Sequence, residues 1–272
     1  MGRQAEPGGC TMSEIPFQDI RATAPLSAIP DTAPTTIDLA KAAALLLMLV
    51  DHTGAFLVPD PETASVLRLF GRLSMPLWAL LLGWLATPRV PWRLLSAGLF
   101  MSVLMSAQAG GPFVNILLVL FAARALLSCS LAERLLASSW APAAVILACA
   151  LGGPVMAGWV EYGTMPVALA VIGRLMRQGR ITPLTLGSGL LAVALYAGWQ
   201  GNLPDTPFPP VLGVQLVGGS LAAMMACGAF FRFKTVPVSG ARALILRWTG
   251  RHTLILYLAH LTPLVLWDLA AG

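Results

Sequence analysis

Six side chains in this sequence could take part in proton transfer or hold charge as it develops: Asp51, His52, Arg72, Asn115, Tyr162 and His260. All are embedded in or border long apolar runs. A charge in the middle of a membrane costs roughly 2.5–3.5 kcal/mol on insertion scales, so each such residue needs a reason. Lys41 and His52 are eleven residues apart, close to three helical turns, so they share one helix face. At 1.5 Å per residue their axial separation is roughly 16 Å. A cation at one end of that face and a base deep within it suit a long ligand with an anionic head and a reactive tip. Asp51, one residue before His52, lies about 100° round the helix from it and is expected to pair with a cation on another helix, such as Arg72. Arg124, Arg174 and Arg177 end apolar runs and, with Lys41, could form a basic ring that receives phosphates.

Each assignment has a plainer counterpart. Arginines near inner helix ends snorkel to lipid headgroups and serve orientation alone. A lone histidine in a helix can simply bond a neighbouring backbone group, which is an open reading for His260. Arg68, a turn before Arg72, reads as an interface anchor. Two histidines and one aspartate are too few for a metal site, and none is expected.

The surrounding chain sets the class. Of 272 residues, 57% are hydrophobic and 11% charged, against roughly 25% charged in soluble domains. Mean hydropathy is +0.78. These values exclude a water-soluble domain and predict an all-α, polytopic transmembrane helix bundle. The net charge of +5 falls in short loops, which argues for membrane orientation and against nucleic acid. Cys10, Cys129, Cys149 and Cys227 form no CxxC pair, so neither a disulfide framework nor zinc is expected. Residues 1–35 are polar and proline-rich, with no signal-peptide core, and read as a disordered cytoplasmic tail; Met12 is an alternative start.

Apolar runs predict about nine spanning helices within residues 36–272: 37–58, 66–87, 92–109, 113–131, 141–160, 162–177, 183–199, 210–231 and 252–270. The connections alternate between basic and non-basic. Arg3, Arg21 and Lys41 precede the first span; Asp60 and Glu62 follow it. Arg89, Arg134, Arg180 and the group Arg232, Lys234, Arg242, Arg247, Arg251 fall on one side. Glu161 and Asp205 fall on the other. The positive-inside rule puts the N-terminus in the cytoplasm and the C-terminus in the periplasm, across a bacterial inner membrane. The basic segment before the last span is expected to lie along the inner headgroups. By depth, His52, Arg72, Asn115, Tyr162 and His260 come from five helices and share the middle and outer half of the bilayer.

Several segments carry a family resemblance. Asp38-Leu39-Ala40-Lys41, followed by Leu47-Met48-Leu49-Val50-Asp51-His52-Thr53, resembles the opening of TraX proteins, the conjugal-transfer pilin acetylases. Gly71-Arg72-Leu73-Ser74-Met75-Pro76-Leu77-Trp78-Ala79 is similar to that family's GR…FP.FA segment, with Met75 and Trp78 where phenylalanines are common. Asn115-Ile116-Leu117 resembles its NIL segment, Tyr162-Gly163 its YG, and Leu256-Tyr257-Leu258-Ala259-His260-Leu261 its closing YxxHL pattern. The blocks occur in order from Asp38 to Leu261.

The resemblance implies acetyl transfer from cytoplasmic acetyl-CoA to an acceptor at the membrane, foremost the N-terminal amine of a pilin-like peptide. His52 would then be the general base. Arg72 and Asn115 would hold the thioester oxygen, and Asp51 would fix Arg72. His260 would be a second base or an acceptor ligand. Lys41, Arg124 and Arg174, with Arg177 beside them, would meet the CoA phosphates. Tyr162 is carried into the site with its YG block. Three other functions fit the same residues: O-acetylation of an envelope glycan, a proton-coupled transporter, and a non-catalytic secretion accessory protein.

Overall fold

The computed structural model describes residues 34–87, 89, 91–201, 209–226 and 240–271. Cys10, Arg21, Asp205, Cys227, Arg232 and Lys234 lie outside the described residues, as does the expected tail apart from Pro34 and Thr35. Among the described residues there is no strand, and the fold is all-α.

Twelve helices follow in order. They are α1 (Thr36–Phe56), α2 (Pro61–Gly71), α3 (Ser74–Trp84), α4 (Trp92–Ala109), α5 (Ile116–Leu127), α6 (Ser130–Ala137), α7 (Ala141–Met156), α8 (Met165–Gln178), α9 (Pro183–Gln200), α10 (Pro210–Ala226), α11 (Gly240–Arg251) and α12 (Thr253–Ala271). Each of the nine apolar runs overlaps at least one of them, the second taking in the end of α2 and all of α3. The additions are α6 and α11. Among the described residues, three stretches are long and apolar enough to cross a membrane: Thr36–Phe56, Pro61–Trp84 and Thr253–Ala271. The α5–α6 pair, bent by 73°, makes a fourth if it is taken as one span. The outward faces are apolar as well. Leu46, Val103, Leu151 and Val155 are 62, 72, 61 and 77% exposed, a surface that water penalises and hydrocarbon accepts.

Local chemistry starts the helices. Thr35 and Asp38 form a capping box at α1, the Thr35 amide donating to the Asp38 carboxylate at 3.0 Å. Asp60 caps α2 from the preceding loop by accepting the Thr63 amide at 2.9 Å. Hydrogen bonding from Thr63, through its side chain and then its amide, holds the Asp60 carboxyl below the usual carboxylate range. Pro61, Pro166 and Pro183 stand in first turns, where a missing amide costs nothing.

The core is built on α3 and α8. Met165, Ala168, Leu169, Ala170 and Leu175 of α8 are fully buried, as are Ala79, Leu80 and Leu81 of α3. The two backbones touch. A Cβ on Gly83 would collide with the Ala170 carbonyl oxygen, and one on Gly173 with that of Leu80. Small residues permit this approach where no aqueous hydrophobic drive holds helices together. α1 lies against α2, α3, α11 and α12, and α5 packs on both α4 and α8.

The second expected span is divided at Arg72-Leu73, between α2 and α3. Pro76 is the cause. It has no amide to donate to the carbonyl four residues back, which is that of Arg72. The Tyr196 hydroxyl of α9 donates there instead, at 2.7 Å. The backbone group freed by the break is thus satisfied inside the bundle.

The α3–α8 contact yields a stability test. Gly83→Ala is expected to lower thermal stability in detergent by about 1–3 kcal/mol through overpacking. Gly187→Ala, on an open face of α9 with no atom within 4 Å of the added carbon, should leave it unchanged or raise it slightly.

Candidate active site

The α4–α5 and α7–α8 links pair with one another and bring polar residues of both together. Val114 and Val160 form an isolated parallel bridge. The Val114 amide donates to the Trp159 carbonyl at 2.8 Å, and the Glu161 amide to the Val114 carbonyl at 2.9 Å. This pairing sets Asn115 beside Glu161 and Tyr162. The chain then turns sharply into α8, with Tyr162 and Gly163 both left-handed at φ 59° and 54°. A side chain at Gly163 would collide with the Gly153 carbonyl, so only glycine fits. Tyr162 holds its conformation at a cost on the order of 1–3 kcal/mol, as residues in ligand clamps often do.

Asn115 is fully buried. Its side-chain oxygen accepts the Leu117 amide at 3.0 Å and caps α5. Its amide nitrogen donates to Glu161 Oε2 at 2.9 Å and lies 3.1 Å from the Tyr257 hydroxyl. The same Glu161 oxygen accepts the Ile116 amide at 2.9 Å. Asn115 is therefore occupied in joining α5, α12 and the α7–α8 link. Its expected role in holding a thioester oxygen does not match this geometry.

The two histidines meet. His52 Nδ1 and His260 Nε2 are 2.7 Å apart, with ring centroids at 4.9 Å. His260 Nδ1 is 2.8 Å from the Leu256 carbonyl oxygen. The Tyr257 ring meets both histidines edge-on, at 6.1 Å from His52 and 5.8 Å from His260. The backbone bond proposed as the plainer reading of His260 is present, together with the contact to His52.

Arg72 donates from Nη1 to the Tyr162 hydroxyl at 3.1 Å, and its guanidinium carbon lies 5.6 Å from the centre of that ring. No ion pair joins it to Asp51, so the expected Asp51–Arg72 pair is corrected: Arg72 is held by tyrosines. Asp51 packs against Gly71 so closely that a Cβ there would collide with it. The backbone approach of α1 and α2 leaves no room for a side chain between them. Asp51 is 9% exposed, and its Oδ1 has no hydrogen-bond partner. Arg68 stacks its stem near Gly54, and its Nε is likewise buried without a partner.

At the opposite end, three arginines converge on the C-terminal end of α3. Arg124 Nη1 donates to the Leu82 carbonyl at 3.3 Å, Arg177 Nη1 to that of Trp84 at 2.7 Å, and Arg174 Nη1 to that of Ala86 at 2.8 Å. Arg124 also reaches the Thr87 hydroxyl at 2.7 Å. A helix C-terminus carries unsatisfied carbonyls and partial negative charge, so it gathers cations. Arg174 additionally lies 4.0 Å from Glu133.

A cavity of about 290 Å³ connects the two ends. Lys41 and Arg124 border it, as do Asp51, His52, Glu161, Tyr162 and Tyr257. Between them the wall is apolar and includes Met48, Met75, Trp78, Leu81, Leu120 and Leu254. Arg72, Asn115, His260, Arg174 and Arg177 do not line it. Arg174 and Arg177 thus belong to the α3 terminus rather than to the cavity surface. Glu161, Tyr257 and Tyr196 were missed as site residues in the sequence. Tyr257 had a signal, lying three residues before His260 and so on its helix face. Glu161 read as a loop carboxylate. Among the described residues, no group of three His, Cys, Asp or Glu side chains could hold a metal.

No family model, curated protein or solved structure matches the chain.

Asn115→Leu removes a helix cap, takes away one of the two donors to Glu161 and leaves the Tyr257 hydroxyl without its Asn115 partner. A stability loss of roughly 2–4 kcal/mol is expected, read as a lower unfolding temperature in detergent.

Proposed function

We propose that this chain is a TraX-like, membrane-embedded acetyltransferase that moves an acetyl group from acetyl-CoA to an acceptor at the outer half of the bilayer. The observation that carries the reading is the cavity, which runs from Lys41 and Arg124 to His52 between apolar walls. Its chemistry suits a long donor. Phosphates take the cationic end, the uncharged arm lies along Met, Leu and Trp side chains, and the thioester reaches the imidazole.

The proposal includes nine crossings, with the N-terminus in the cytoplasm and the C-terminus in the periplasm of a bacterial inner membrane. In that topology the start of α1, the end of α3, the start of α4, the end of α5 and the start of α12 all lie on the cytoplasmic side. Lys41, Leu85, Pro91, Arg124 and Thr253, one from each, all border the cavity. This agreement supports a cytoplasmic mouth, where acetyl-CoA is found.

In the proposed reaction the acceptor nucleophile attacks the thioester carbonyl carbon. His52 takes the nucleophile's proton. The C–S bond breaks, its electron pair leaves on sulfur, and the proton passes to the thiolate to give free CoA. The oxygen that gains charge is served by the Tyr162 hydroxyl. Arg72 donates to the oxygen of that hydroxyl, which leaves the hydroxyl hydrogen free to point into the cavity. Arg72 therefore acts through Tyr162. Asp51 and Glu161 border the same end and would meet the acceptor. An amine at the N-terminus of a pilin-like peptide is the acceptor that the family resemblance favours.

The test is turnover of labelled acetyl-CoA by the purified full chain in detergent, with free CoA thiol as the readout. His52→Ala is expected to reduce kcat about 10²–10⁴-fold. Lys41→Ala with Arg124→Ala should raise KM for acetyl-CoA roughly tenfold or more and leave kcat nearly unchanged. Absence of thiol release, together with substrate-dependent proton flux in proteoliposomes, would instead identify a proton-coupled carrier.

A further inference from the structure

We infer that His260 is a positioning residue that fixes the tautomer of His52, so that Nε2 of His52 is the atom that accepts the proton. The inference rests on the acetyltransferase reading for its chemistry, but its geometry stands independently.

The direction of the hydrogen bonds follows from one group whose role is not open to choice. The Leu256 carbonyl oxygen can only accept. It lies 2.8 Å from His260 Nδ1, so that nitrogen carries the hydrogen. A neutral imidazole has one N–H, which leaves a lone pair on His260 Nε2. That lone pair faces His52 Nδ1 at 2.7 Å, so His52 Nδ1 carries the hydrogen and donates it. His52 Nε2 is left with a lone pair. The chain of donors thus runs from His52 through His260 to a backbone carbonyl.

The placement agrees with this order. His52 borders the cavity and His260 does not. His260 is held from below by its own helix, through the carbonyl one turn earlier, and from the side by the Tyr257 ring. Its Nε2 is engaged by His52 and its Nδ1 by the Leu256 carbonyl. Its work is done through His52. It keeps the ring from flipping, keeps the hydrogen on Nδ1, and accepts the shared hydrogen bond as His52 becomes charged. The charged and titratable groups that act on His52 or share its cavity are Arg68 and Arg72 from α2 and its C-terminal cap, Asp51 on α1, Tyr257 on α12, and Tyr162 and Glu161 from the α7–α8 link. The hydrogen-bond partners of the two rings are one another and the Leu256 carbonyl.

Two measurements test this. The chain contains three histidines, so nitrogen-15 histidine NMR of the full protein in lipid is tractable, with His252→Gln removing the one signal not of interest. His52 is expected to show a protonated Nδ1 and an unprotonated Nε2, and His260→Leu should allow the other tautomer to appear. A protonated Nε2 on wild-type His52 would overturn the inference, whether or not the protein turns over acetyl-CoA. The second measurement is kinetic. His260→Leu should lower kcat about 10²-fold or more with KM for acetyl-CoA unchanged. His260→Gln, whose carbonyl can still accept from His52, should recover most of that loss. Equal activity of the Leu and Gln variants would sink the positioning role. If the wild-type protein releases no CoA thiol, the acetyltransferase reading fails, and the NMR result alone decides the tautomer.

Discussion

A polar group taken from water into an apolar bundle must find a partner there, because nothing outside will supply one. Most features of this site answer that demand. Pro76 leaves the Arg72 carbonyl without an amide, and Tyr196 crosses from α9 to serve it. The α3 terminus has unsatisfied carbonyls, and three arginines from α5 and α8 close on them. Asn115, Glu161 and Tyr257 satisfy one another across three segments. His52 and His260 do the same across two. The atoms left out, such as Asp51 Oδ1 at the cavity wall, are then informative, since an unsatisfied buried group calls for an explanation.

Close backbone packing gives these pairings their precision. Gly71 brings α2 onto Asp51, and Gly83 and Gly173 bring α3 onto α8. With no side chain between them, the helices cannot slide without losing contact over their length. That rigidity lets a 2.7 Å contact form between residues 208 positions apart. It also keeps the cavity open between its polar ends, where a looser bundle would collapse its leucines and methionines into the gap. The break at Arg72 is compatible with this rigidity because Tyr162 and Tyr196 hold the arginine from two directions.

The polar residues divide into a layer that borders the cavity and a layer that supports it. Lys41, Asp51, His52, Arg124, Glu161, Tyr162 and Tyr257 form the first; Arg72, Asn115, Tyr196 and His260 form the second. In the sequence the two layers look alike. Arg72 and His260 are as conspicuous as His52, because depth in an apolar run measures cost and not direction. Glu161 and Tyr257 were overlooked because a carboxylate between two spans and a tyrosine in a span both have ordinary explanations.

The sequence alone determined what the period and content of its apolar runs could encode. These were an all-helical chain, helices within each of nine runs, and a set of polar residues too costly to be incidental. It also determined the three-turn relation of Lys41 to His52, because that lies within one helix. Partners were beyond it. That Asp51 makes no ion pair with Arg72, that Asn115 is a strut, that Arg174 and Arg177 serve the α3 terminus, and that His260 bonds His52 all depend on side chains from different helices. Their meeting is settled by glycine contacts, a proline break and a left-handed turn at Tyr162. Helical periodicity is a property of neighbours along the chain, whereas a hydrogen bond between helices depends on rotation and offset, which only the packed structure supplies.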